Sequence, residues 1–258
     1  MKRVKKLPGE IFFRVVYWLF KSKLESDDIG RDTLTRMRAM KNNNNWVFDQ
    51  IKPYLGNSIL EVGAGIGNIS KYLAGFDRKL ILTDIKRDYL NYLKNRFISY
   101  PKVKVISFNI ESGKASKISK FKVDTAICIN VLEHIKNDNQ ALRNIHKILS
   151  NNGSLILIVP ALKKLYGSLD KNLGHFRRYD KNQLIKKLEK NNYFIEKIYY
   201  HNLVSVFGWF INSRILKTKF MKSFQLRLLD KLIPFLATVE KNIEIPFGLS
   251  LIVIAKKR

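Results

Sequence analysis

A single cysteine, Cys128, stands among 258 residues, so no disulfide can close within the chain. A small cross-linked scaffold is thereby excluded, and a reducing compartment is allowed. Its neighbours in TAICIN are apolar, the usual setting of a buried small hydrophobe. Acidic residues are scarce: 21 Asp and Glu stand against 48 Lys and Arg, a net charge of +27. Such an excess concentrates phosphate-rich partners at the surface, whether nucleic acid or anionic lipid, and charge alone does not choose between them. Lys and Asn also recur throughout (KNNNN, KNDNQ, EKNNY), as a plain compositional bias produces. Repeats and Gly/Ser linkers are absent. With 46% hydrophobic residues the chain can bury a sizeable core, as one large domain or a domain with an appendage.

Long apolar runs are missing too. The opening MKRVKKLPGEIFFRVVYWLFKSK has a basic head and an apolar centre, but Arg14 interrupts the centre and no small-residue cleavage site follows. Its longest uninterrupted run, VVYWLF, falls far short of the ~20 residues that cross a bilayer. The segment reads as a retained helix, either lying at a membrane surface on its aromatics and lysines or docked on the protein body. Helical spacing resumes over residues 32–55 (Leu34, Met37, Met40, then Trp46, Val47, Ile51, Leu55), with KNNNN as a joint between two helices.

From there the pattern alternates. SILEVGA, KLILTDI, VKVISFN, VDTAICIN and GSLILIVPA are short and β-branched, and helical patterns such as RDYLNYLKNRF and NDNQALRNIHKIL separate most of them. That order predicts an α/β fold, a parallel sheet with helices on both faces. A further helix follows in RYDKNQLIKKLEKN, with Asp180 as its N-cap. Strand-like NYFIEKIYYHN and GLSLIVIAKK come last, and between them lie roughly forty residues with helical spacing and much apolar bulk. The expected division is an N-terminal helical segment over 1–55, an α/β body over 56–202 and 247–258, and a helical insert over 203–246 that forms a cap or a membrane-contacting surface.

Glycines cluster in one place. In ILEVGAGIGN, Gly63, Gly65 and Gly67 are spaced G-x-G-x-G, whereas dinucleotide sites use G-x-G-x-x-G. The turn closes the first strand, where glycine lets a ligand approach the backbone and the following helix offers N–H groups to an anion. Asp84 ends the next strand, twenty-one residues after Gly63, where a carboxylate can accept both hydroxyl hydrogens of a ribose. Asn109 ends the third.

With Glu61 the first motif reads E-x-G-x-G-x-G, and the fourth strand ends in INVLEHI. Motif, Asp84, Asn109 and NVLEHI in this order resemble the class I S-adenosylmethionine-dependent methyltransferases, of the type 11/12 kind, over about residues 40–200 plus the last strand. The resemblance implies a Rossmann-like seven-stranded sheet whose last strand is antiparallel, and S-adenosylmethionine as cofactor. It places Glu61, Gly63, Ala64, Gly65 and Gly67 around the methionine part, Asp84 at the ribose, Ile85 on one face of the adenine, Asn109 and Ile110 at its edge, and Asn130 beside the methionine moiety. Asn109 stands where the family often has an acid.

The [D/N]-P-P-[Y/F] signature of base and amide N-methylation is absent. Instead Glu133 and His134 follow Asn130, and the loop after the fifth strand reads PALKKLYGSLDKNLGHFRRYDK. This looks like the arrangement of ubiquinone-pathway O-methyltransferases and small-RNA 3′-end methyltransferases, which hold a divalent metal with E-x-x-E-H and a later histidine. Glu133, His134 and His175 match, while Asn130 replaces the first Glu. Two His and one carboxylate suit a transition metal better than Mg²⁺. Without metal, His134 or His175, with Glu133 beside them, is the catalytic base candidate, and a mere helix cap is the alternative for LEHI. Tyr166, Asp170, Arg177, Arg178 and Tyr179 crowd where an acceptor must enter, and two guanidiniums suit an anionic one.

The expected activity is methyl transfer to a hydroxyl of a small anionic or amphipathic acceptor, such as a lipid, polyprenoid or glycan intermediate. An RNA methyltransferase and a degenerate membrane scaffold are the alternatives. The expected location is cytoplasmic, with a peripheral seat at the inner face of the membrane, and oligomeric state is left open.

Overall fold

The computed structural model describes residues 30–258, and the opening segment with its interfacial-helix reading lies outside them. Helix α1 covers residues 30–39 and α2 covers Lys41–Ile51. The body then alternates as β1 Ser58–Val62, α3 Ser70–Leu73, β2 Lys79–Asp84, α4 Arg87–Arg96, β3 Val103–Ser107, α5 Ser116–Ser119, β4 Val123–Ile129, α6 Asp138–Ile148 and β5 Leu149–Pro160. After β5 come α7 Ser168–Leu173, α8 Lys181–Lys190, β6 Tyr193–His201, α9 Val204–Phe210, α10 Ser223–Asn242 and β7 Ser250–Lys257.

One seven-stranded sheet runs β3-β2-β1-β4-β5-β7-β6, parallel except that β7 is antiparallel to both β5 and β6. The class I methyltransferase architecture expected from sequence is therefore present. Its inner strands β1, β2, β4, β5 and β7 are buried on both faces, which is why they read as continuous apolar runs, whereas the edge strands β3 and β6 are partly exposed. Leu60, Ile81, Ala126, Leu157 and Val253 enter one core with α5, α6 and α8. Their sequence neighbours Ile59, Leu80, Ile127, Ile156 and Ile254 enter the other with α2, α3 and α4. Cys128 belongs to the first core and is wholly buried. Strand β1 pairs with β2 on one side and β4 on the other, so the chain reverses direction across the sheet at β1. In open α/β sheets ligands bind beyond the carboxyl ends of the strands beside such a reversal, here β1 and β4.

Two local expectations are corrected. KNNNN is not a joint: the break falls at Met40, and the asparagines form the first turn of α2. Free N–H groups at a helix start need acceptors, and here the Asp230 carboxylate, from α10, accepts from the main chain of Asn43 at 2.9 Å and of Asn42 at 3.4 Å. Asp180 does occupy the N-cap of α8, but its side chain caps nothing there. It accepts instead from the Lys163 main chain at 3.2 Å, tying α8 to the loop after β5.

Helix α2 packs on the body, and the insert packs on α2. Trp46 of α2 lies against His201 at the end of β6, ring centroids 4.0 Å apart and planes tilted by 53°. Pro234 sits inside α10 and has no N–H for the Asp230 carbonyl four residues before it. The Asn42 side-chain amide fills that vacancy at 2.9 Å. Among the described residues no helix is long and apolar enough to cross a membrane.

Candidate active site

The glycine turn leaves β1 at Val62, and Gly63, Gly65 and Gly67 all adopt positive φ (67°, 57° and 76°), the left-handed region that other residues enter at a cost. Each is also closely approached. A Cβ on Gly63 would stand 2.5 Å from the Val131 side chain, and one on Gly65 3.1 Å from Leu34. Helix α1 thus lies over the turn, with Asn68 donating its amide to the Leu34 carbonyl at 2.9 Å. Buried Ala64 donates its N–H to the Thr83 carbonyl, and the Thr83 hydroxyl donates back to the Glu61 carbonyl, both at 2.9 Å.

Two carboxylates frame the turn. Asp84 accepts from the Gly65 N–H at 2.9 Å with one oxygen and from Ile85 and Lys86 N–H groups with the other, which locks the glycine turn to the end of β2. Glu61 is buried and accepts from the Ser70 hydroxyl at 2.6 Å. Burial pushes its pKa up to about 7, with Asp84 adding to the rise and Ser70 opposing it. Next to Asp84, Ile85 is 66% exposed, an apolar plate beside the turn. Asn109 is exposed just beyond β3, its side-chain amide oxygen accepting from Glu111 and Ser112 N–H groups, and Ile110 is buried behind it. Asn130 ends β4 with φ 51° and is exposed on the same edge.

Beyond Asn130 the chain makes a short 3-10 turn, Leu132–His134. Glu133, on that turn, is completely buried, and neither carboxylate oxygen has a hydrogen-bond partner among the described residues. Burial raises its pKa to about 8, so the group is largely protonated at neutral pH. The turn is joined to the later loop by the Phe176 N–H, which donates to the Glu133 carbonyl at 2.8 Å. That bond sets the His134 and His175 rings edge to face with centroids 4.7 Å apart. Desolvation, and second the facing His175, push the His134 pKa down to about 4. Glu133, His134 and His175 thus converge, each offering a donor atom within 4.8 Å of the others, a spacing that one divalent ion can bridge.

His175 is anchored from behind. Its Nδ1 lies 3.0 Å from Oδ1 of fully buried Asp170. That carboxylate also accepts from Arg178 Nε at 2.7 Å, the Gly167 N–H at 3.0 Å and the Trp209 indole at 3.2 Å. Burial alone would raise the Asp170 pKa, but these partners outweigh it and hold the carboxyl below the usual range. An ionised carboxylate only accepts, so His175 Nδ1 carries a hydrogen toward Asp170, and Nε2, on the other side of the ring, lies 3.9 Å from Glu133 Oε1.

The residues expected to meet the acceptor are placed differently. Arg178 is 2% exposed, paired with Asp170 and donating to the Ala161 carbonyl, so it supports the histidine loop. Arg177 spans to Asp138 at 2.9 Å and donates to the Lys136 carbonyl. Tyr179 is buried and donates its hydroxyl to Asp138 at 2.9 Å; burial and that carboxylate raise its pKa. Tyr166 donates to the His175 carbonyl at 2.8 Å. The two guanidiniums are thus engaged by carboxylates of the chain itself, which removes the reason for expecting an anionic acceptor. Two further participants come from the flanking helices. Trp209 lies in an apolar run of the insert, where an indole N–H needs a buried acceptor and so signals one. Leu34, over Gly65, carries no such sign.

Residues 60–155 match the family model described as a methyltransferase domain. Over 120 residues the chain is 30% identical to polyketide synthase PksR of Bacillus subtilis, a match covering 43% of this chain and 5% of that one. Over 143 residues it is 23% identical to ribosomal RNA small subunit methyltransferase A of Baumannia cicadellinicola, covering 50% and 51%. The matches thus span about half of that methyltransferase and a small fraction of the synthase. A Burkholderia thailandensis 1,6-didemethyltoxoflavin-N1-methyltransferase, solved with that molecule and S-adenosylhomocysteine, superposes with a TM-score of 0.56 at 15% identity, covering 100% of this chain and 93% of that one. With the strand order, the glycine turn and the matched residues in agreement, residues 60–155 lie in a methyltransferase domain, and the chain has the class I S-adenosylmethionine-dependent methyltransferase fold.

Proposed function

We propose that the protein methylates a hydroxyl of a small, amphipathic acceptor, with His175 as general base and Asp170 as its positioning residue. The observation that carries this reading is the buried Asp170 carboxylate on His175 Nδ1, which leaves Nε2 facing the end of β4. The bound cofactor supplies a methyl group on a sulfonium, a leaving group that needs no protonation. What remains for the chain is alignment and the acceptor's proton. Asp84 and Ile85 hold the adenosyl part, the glycine turn and Glu61 surround the methionine part, and Asn130 borders the methyl. As the oxygen–methyl bond forms, the hydroxyl proton passes to His175 Nε2, and the sulfur retains the electron pair of the broken bond. Protonated Glu133 can donate to the acceptor oxygen and keep it within reach of Nε2.

In a metal-dependent variant of this reading, Glu133, His134 and His175 hold one divalent ion. The unpartnered, buried Glu133 oxygens favour it, and the ion would lower the acceptor hydroxyl's pKa. An RNA acceptor is the second reading, supported by the net charge of +27 and the ribosomal RNA methyltransferase relative.

The test is incubation with methyl-labelled S-adenosylmethionine and separated lipid, polar-metabolite, RNA and protein fractions, with and without a chelator. Label in the lipid or metabolite fraction, lost in His175→Gln by about 10²- to 10⁴-fold, supports the base. Loss on chelation that added Mn²⁺ restores supports the metal variant. Label in RNA decides for the second reading.

A further inference from the structure

Most of the large apolar side chains exposed on the described residues fall between Val204 and Phe247, on the insert. On α10, Phe224, Leu228, Leu232, Phe235 and Val239 follow one another at intervals of four, four, three and four residues, the spacing of a single helical stripe, and all five are exposed. The other side of α10 is occupied: Ile233 is fully enclosed, and Asp230 faces the start of α2. The helix is therefore apolar on two faces, and the protein body covers one of them. The exposed apolar surface continues on α9 and the turn after it, through Phe207, Phe210, Ile211 and Ile215.

Charge on the segment is sorted the same way. Two of its three acids turn inward, Asp230 to α2 and Glu240 to the N–H groups of Asn202 and Leu203 at 2.9 and 2.8 Å. Lys217, Lys219, Lys222, Arg227 and Lys231 are exposed, the last two beside the α10 stripe at helical spacing. An exposed apolar surface of this extent marks a contact site, and its cationic border narrows the partner. A second copy would bring its own lysines against these. An anionic bilayer offers acyl chains to the stripe and headgroup phosphates to the border.

From this complementarity we infer that the outer face of α9 and α10 seats the protein on an anionic lipid surface, with the helices lying in the interface. The inference is independent of the acceptor's identity. Helix α9 also carries Trp209, whose indole reaches Asp170, so the same segment joins this face to the His175 loop.

The experiment is flotation of the full chain with vesicles of phosphatidylcholine alone or mixed with phosphatidylglycerol, alongside sedimentation and calorimetric S-adenosylhomocysteine binding. The protein floats with the mixed vesicles and not with the neutral ones. Replacing Phe224, Leu228 and Phe235 together by Ser, or Lys217 and Lys222 together by Glu, lowers vesicle partition by about tenfold or more. S-adenosylhomocysteine affinity stays at the unsubstituted level, which shows the fold intact. The inference is overturned if the unsubstituted chain does not float, or if the apolar replacements leave flotation unchanged. A dimer that those replacements dissolve, without flotation, assigns the face to a second copy. RNA retention that the charge reversals abolish, again without flotation, assigns it to nucleic acid.

Discussion

The indole Nε1 of Trp209 lies 3.2 Å from Oδ2 of Asp170, whose other oxygen lies 3.0 Å from His175 Nδ1. A residue of the insert thus shares a carboxylate with the proposed base, and the Arg178 guanidinium is sandwiched against it, 4.6 Å from the indole ring. Trp209→Phe keeps a ring over Arg178 and removes one donor. We expect a stability loss of about 1 kcal/mol and a fall in kcat of several-fold, with S-adenosylhomocysteine affinity unchanged. Asp170→Asn is harsher, since it strands a buried guanidinium at a cost of roughly 3–5 kcal/mol. Urea midpoints and steady-state rates on the two variants separate these effects. Equal loss of rate and stability in both would reduce Trp209 to packing.

Gly65 combines φ 57° with a neighbour 3.1 Å from where its Cβ would lie, and its N–H is held by Asp84. Gly65→Asp places a second carboxylate beside the first and forces a non-glycine residue into the left-handed region, at about 1–2 kcal/mol for the backbone alone. The variant is expected to stay folded and to lose S-adenosylmethionine binding, read by calorimetry with circular dichroism as the fold control. Retained binding at the original affinity would remove the glycine turn from the cofactor site.

The sheet was legible because period-2 burial on two faces produces unbroken apolar runs, as in Leu80, Ile81 and Leu82, each 1% exposed or less. The glycine turn and the polar strand ends were legible because glycine, acid and asparagine stand where an apolar run stops, the positions of Gly63, Asp84 and Asn130. The histidine loop was half legible. HFRRYD signals crowded polar chemistry, but sequence does not tell a guanidinium that meets a ligand from one that meets Asp170, and Arg178 proves to be the second kind. Likewise KNNNN carries loop composition, and only the distant Asp230 makes it a helix start.

Glu61 gives the stability a pH dependence of definite sign. Its carboxyl titrates near the ordinary 4.5 when unfolded and near 7 in the fold, chiefly because it is buried. Between those values the folded protein holds a proton that the unfolded chain has released, so this group's contribution is full below pH 4.5 and is lost as pH rises through 7. A shift of this size corresponds to about 3 kcal/mol. Glu61→Gln removes this group's share of the slope, while the buried Glu133 carboxyl, pushed up to about 8, keeps a share of the same sign. Urea midpoints at pH 5 and pH 8 are expected to fall more steeply with pH in the unsubstituted protein than in the variant. An equal slope in both would place its source elsewhere.

Pro234 and Asn42 form a testable pair across α10 and α2. The proline leaves the Asp230 carbonyl without its helical partner, and the Asn42 amide supplies one at 2.9 Å. Asn42→Ala leaves that carbonyl unpaired and is expected to cost about 1 kcal/mol. Pro234→Ala restores an N–H within the helix, so the same asparagine deletion costs less in that background. A double-mutant cycle on urea midpoints is expected to give a coupling of about 0.5–1 kcal/mol. Additive effects would mean that water satisfies the carbonyl as well as Asn42 does, and that the insert is held to α2 by the Asp230 carboxylate and apolar packing alone.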